Sequence, residues 1–167
     1  MTHGSNPRVG VVHWGTTAPS ELVLPLTDVR RRRTIETALE IPSTLGGNNF
    51  PGALSRARQV VEDQGDDRVA LVVTITDGIE TVGADASDQI SQLPAGCVHV
   101  LLVDNSHGCG PELEIGWSSL ALGSFTRLDV LDTARLAWEA AEVVARAAGL
   151  EMSPLKESPK PKSARRR

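Results

Sequence analysis

Lysine is absent from the first 150 residues of this 167-residue chain. All the lysines fall in the final segment EMSPLKESPKPKSARRR, where three Lys and three Arg stand against Glu151 and Glu157, a net of +4. The whole chain is at −4, so the preceding 150 residues carry −8. An acidic body of that kind excludes a broad phosphate-binding face, and nucleic-acid binding is not expected beyond what the basic tail touches. That tail is spaced by prolines and has too little apolar surface to offset its ordering entropy. We read residues 151–167 as a disordered, solubilising basic tail and residues 1–7 as a disordered start.

Cysteine is equally scarce. Cys97 and Cys109 are too few for a disulfide scaffold and read as reduced thiols. No apolar run approaches the ~20 residues that cross a bilayer, so no membrane span is expected. MTHGSNPR is followed by no apolar leader, and the expected location is the cytoplasm. Motifs of catalysis are missing too. There is no G-x-S-x-G elbow and no P-loop, and GGNNFPG lacks the third-position glycine of a dinucleotide fingerprint. Cys97, His99, His107 and Cys109 spell C-x-H…H-x-C, all zinc-binding types. A strand between the halves, at about 3.3 Å per residue, holds the two pairs roughly 15–20 Å apart, too far to share a metal.

What is present is an ordinary globular composition, 40% apolar and 23% charged, in a length that suits one domain with one core. RVGVVHW (8–14) and ELVLPL (21–26) read as an antiparallel hairpin, with Pro25 placing the second strand at a sheet edge. Four arginines follow at 30–33, a run that most simply forms a solvated face although it suits phosphate or acid. A short helix is expected over 34–40, ended by Pro42. From 50 to 64, Leu54, Ala57, Val60 and Val61 recur at helical spacing, with Pro51 in the first turn.

Strand and helix then alternate: strands over 68–76, 97–103 and 124–130, helices over 84–93, 112–122 and 133–148. The last helix shows Ala134, Trp138, Ala141, Ala145 and Ala148 on one stripe. Continuous apolar strands alternating with helices predict an α/β fold with a mostly parallel sheet covered on both faces and the hairpin at its edge, spanning residues 8–150.

In such a sheet, ligands bind beyond the carboxyl ends of the strands. That rule selects His13 and Trp14 after the first strand, Thr76 and Asp77 after the central one, and Asp104, Asn105 and Ser106 after CVHVLLV. The loop GGNN (46–49) joins the same edge. An oxygen-rich set of this kind suits a hard cation such as Mg²⁺ or Mn²⁺. Asp77-Gly78 is also a turn dipeptide, and an acid after a strand is more often a turn or cap than a ligand.

Taken in order, the hairpin, the GGNNFPGAL helix and the VALVVTITDG strand resemble the von Willebrand factor A-type (vWA) family. The likeness is to its bacterial cytoplasmic branch, which includes tellurium-resistance-type proteins. It implies a Rossmann-like sheet and a metal-ion-dependent adhesion site built from three loops. The Asp of T-D-G falls on Asp77, and the usual Thr of the G-G-T loop is replaced by Asn48. The Asp-x-Ser-x-Ser loop and the strand before it do not occur. Without that strand, the strands at 8–14 and 68–76 must pair directly, or the position between them stays open. MTHGSNP reads as a linker, so a longer natural protein is expected, the alternative being a trimmed variant.

One carboxylate and an amide hold Mg²⁺ or Mn²⁺ poorly, so a degenerate or vestigial site on Asp77 and Asn48 is expected. The resemblance implies a non-enzymatic module that binds a protein partner through its strand-end face. That face comprises Trp14, Thr16, Asn49, Ile79, Glu80, Asn105 and His107, beside Asp77 and Asn48. Trp14 is its anchor if exposed and a core residue if not. The alternative is a small α/β metal-dependent enzyme using His13, Asp77 and Asp104.

Overall fold

The computed structural model describes residues 7–15, 21–40, 49–63, 69–78, 84–103, 111–128, 133–147 and 149–153. Strands β1 (Arg8–His13) and β2 (Glu21–Asp28) form an antiparallel pair running from Arg8↔Asp28 to His13↔Glu21. Two register shifts interrupt it, between Val9 and Val11 and between Val11 and Val12, and each places an extra residue on β2. Pro25 lies in the first of these bulges, where a missing N–H costs the ladder nothing.

Helix α1 (Arg32–Leu39) begins inside the arginine run, two residues before the expected start. It covers the hairpin thinly: Ala38 joins Val11 and Leu24 in a small core flanked by Val9 and Ile35. Helix α2 (Phe50–Glu62) touches both hairpin strands and also packs against α3. Its first turns bury Phe50, Ala53 and Leu54, while Ala57 and Val60 are half-buried.

The rest alternates as β3 (Val72–Thr76), α3 (Ala84–Ser91), β4 (Val98–Val103), α4 (Pro111–Ser118), β5 (Ser124–Leu128) and α5 (Thr133–Ala147). β3, β4 and β5 form a parallel sheet in that order, with Thr74↔Val100 and Val100↔Phe125 as central partners. β4 is fully covered, with Val100, Leu101 and Leu102 all at 0% exposure, because both of its faces are packed. Val98, Val100 and Leu102 share one core with Phe50, Leu54, Ala86, Ile90 and Trp117. Alternate residues turn to the other face, where α5 touches β4.

Three expectations are corrected. The hairpin is not the edge of one continuous sheet: β1–β2 and β3–β4–β5 are two sheets, and among the described residues β1 and β3 do not pair. The chain is α/β, with a three-stranded parallel and a two-stranded antiparallel sheet joined through α2. The strand before TITDG starts late, at Val72, and Val69 is 81% exposed. Finally, the expected stripe of α5 is only partly inward: Trp138 and Ala145 are half-buried, whereas Ala134 and Ala141 are exposed and Val143, outside the stripe, is buried.

Candidate functional site

Each half of the strand-end region is built by a local device. At the end of β3, Thr76 is buried and its Oγ1 accepts the Gly78 N–H at 3.1 Å. Gly78 has φ of 68°, in the left-handed region that glycine enters without steric cost. T-D-G is therefore a tight turn that closes on itself and leaves Asp77 exposed between two buried neighbours. At the start of α2, Asn49 is the N-cap, and its Oδ1 accepts the Gly52 N–H at 3.0 Å. Phe50, 1% exposed, pins that turn into the parallel-sheet core.

Five of the expected site residues lie in described structure: His13, Trp14, Asn49, Thr76 and Asp77. His13 is buried at the end of β1, and its Nε2 has no hydrogen-bond partner among the described residues. Trp14 is half-buried. His13 and Trp14 belong to the hairpin, whereas Asp77 belongs to the parallel sheet, so no shared strand pairing aligns them. Thr16, Asn48, Ile79, Glu80, Asp104, Asn105, Ser106 and His107 lie outside the described residues, as does Cys109 of the C-x-H…H-x-C pattern.

The described donors do not fit a resident Mg²⁺ or Mn²⁺. The Asn49 side-chain oxygen is engaged by its helix and the Thr76 hydroxyl by its turn, which leaves too few oxygens for a hard cation among the described residues. Among the described residues, no three His, Cys, Asp or Glu side chains come together around a metal position. Cys97 lies in the main core, where burial pushes its thiol up and keeps it protonated.

Two features escaped the sequence reading. Trp117 is 1% exposed, and its ring meets that of Phe50 edge-on, with centroids 4.9 Å apart at 70°. The weakly amphipathic helix around Trp117 carries no periodic signal for this. His99, on the α5 face of β4, has its Nδ1 2.8 Å from Ser124 Oγ. Its register partner is legible only once the parallel pairing is known.

No family model matches the chain, and no curated protein matches it. Among solved structures the chain is similar to an uncharacterized membrane spanning protein from Vibrio fischeri, at 15% identity, covering 82% of this chain and 76% of that one. The TM-score is 0.29, which carries no argument about fold or function. Among the described residues, no helix is long and apolar enough to cross a membrane.

Proposed function

We propose that the chain is a non-enzymatic protein-binding module of the vWA type, with a Rossmann-like ancestry and a strand-end face that works without a resident metal. The observation that carries this reading is the T-D-G turn. It stands at the carboxyl end of a parallel strand, closed by Thr76 and Gly78, and it presents the Asp77 carboxylate to solvent. The donors beside it are spent on local structure, so the face is a degenerate adhesion site that offers a partner a carboxylate and a half-buried indole. A guanidinium or ammonium group of a partner protein suits Asp77 better than a shared cation does.

A second reading, a small α/β metal-dependent enzyme using His13, Asp77 and Asp104, is favoured by one observation. The buried His13 Nε2 lacks a hydrogen-bond partner among the described residues, and such groups call for an explanation.

Calorimetric titration of Mg²⁺ and Mn²⁺ into the purified chain separates the two. The module reading expects no saturable heat at sub-millimolar metal, for wild type and Asp77→Ala alike. It also expects proteins captured by the immobilised chain in chelator-containing buffer to be lost on Asp77→Arg. Saturable metal binding that disappears in Asp77→Ala and weakens in His13→Ala would favour the enzyme reading.

A further inference from the structure

The strand-end face is not the only surface shaped for a partner. Between β2 and α1 runs an open groove of about 460 Å³, lined by Val23, Leu24, Arg33, Thr34, Thr37 and Ala38. Its floor is apolar, because the thin packing of α1 on the hairpin leaves Val23 at 39% exposure beside the buried Leu24 and Ala38. Its polar groups are two threonine side chains and one guanidinium.

The charge around the groove is unbalanced. Arg30 forms a bidentate pair with Asp28, with contacts of 3.1 and 2.9 Å. Arg31, Arg32 and Arg33 are exposed and make no ion pair with any described residue. The first turn of α1 contains no acidic side chain to offset them. Arg33 thus lines the apolar groove with Arg31 and Arg32 just before it in the chain, a local excess of positive charge within 150 residues that together carry −8.

We propose that this groove docks an acidic peptide segment of a partner protein, with carboxylates on Arg31–Arg33 and an apolar side chain on the Val23–Leu24–Ala38 floor. Guanidinium–carboxylate pairs are planar and bidentate, so they fix orientation as well as adding attraction. The apolar floor is what distinguishes a peptide from a phosphate polymer. A nucleic acid would bring no group for it, and no aromatic residue lines the groove to stack a base. The acidic remainder of the chain also repels a long polyanion, whereas a short acidic segment engages the basic patch alone. This site shares no residue with the strand-end face and stands independently of it.

The test is fluorescence anisotropy of the full chain with a fluorescein-labelled peptide of alternating Asp and Leu, at low and high salt. One control peptide has Asn for Asp, and another has Ser for Leu. The expected result is saturable binding of the Asp–Leu peptide, weakened by high salt and by about tenfold or more on Arg33→Glu. Thr37→Trp keeps every charge and fills the groove, so it removes the advantage of Leu over Ser. Arg33 and Thr37 are both exposed, and thermal melts matching the wild type qualify the variants. Absence of saturable binding by the wild-type chain overturns the proposal, as does equal binding of the Asn peptide, both read without any variant. Unchanged binding by Thr37→Trp overturns it too. Tighter, Arg33-dependent binding of labelled oligo(dT) or of phosphatidylserine vesicles would replace the peptide with a phosphate ligand.

Discussion

His99 Nδ1 lies 2.8 Å from Ser124 Oγ, joining β4 to β5 where both strands begin. Gly123 packs so closely here that an added methyl group would come within 2.7 Å of His99 Cε1 and would collide with the Gly96 carbonyl oxygen. The surroundings of the ring disfavour a proton. Burial lowers the His99 pKa from its ordinary 6.5, and the Arg146 charge on α5 lowers it further.

The pH dependence follows from linkage. In the unfolded chain His99 takes up a proton near 6.5, whereas in the folded chain it stays neutral to lower pH. Its contribution to stability is therefore complete above 6.5 and is lost as pH falls from there to the folded value. Below the folded value both states are charged and no further loss occurs. Urea unfolding on either side of the ordinary histidine pKa should show this slope in the wild type and a flatter one in His99→Gln. An unchanged slope in His99→Gln would assign the pH dependence elsewhere.

Asn49 separates a structural role from a binding role. Its side chain caps α2 through the Gly52 N–H. Asn49→Ala should lower stability by about 1 kcal/mol, and Asn49→Asp or Asn49→Ser should restore most of it, because those side chains also cap. Thermal melts of the three variants read this directly. Equal stability of Asn49→Ala and wild type would mean that the cap adds nothing and would return Asn49 to the partner-facing set.

The Phe50–Trp117 contact ties α2 and α4 to one core. Phe50→Ala should cost about 3–5 kcal/mol, from lost burial, the cavity left behind and the lost edge-on pair. The denaturation midpoint should fall at an unchanged m-value. With Trp14 and Trp138 replaced by Phe, Trp117 is the one tryptophan left of three. Its emission should shift to longer wavelength in Phe50→Ala if solvent reaches the ring. A loss below about 1 kcal/mol would show that the two rings do not share a tightly packed core.

Much of the element order was legible in the sequence. The CVHVLLV strand and the α2 helix with its proline in the first turn stand close to their expected bounds, and the TITDG strand ends where expected although it starts four residues late. The T-D-G signal was legible as well, as either a ligand or a turn. The turn is present, closed by the hydrogen bond from Gly78 N–H to the Thr76 hydroxyl. Asn49 read as a partner-facing residue, and the geometry of α2 took its side-chain oxygen for the cap. The arginine run read as a solvated face, and nothing in its own residues shows the groove that β2 and α1 form beside it.

The sequence by itself determined the periods: apolar runs that make strands, spacings that make helices, and an acidic body without lysine. These are local properties, set by residues a few positions apart. Tertiary structure alone decided that the hairpin and the parallel sheet are separate sheets bridged by α2. It also decided that Trp117 is a core residue and that Val143 is buried on α5. The physical reason is common to all three. Each outcome depends on which surfaces meet across long separations in the chain, and the free energy of that meeting lies in area buried and bonds satisfied between partners, not within either one.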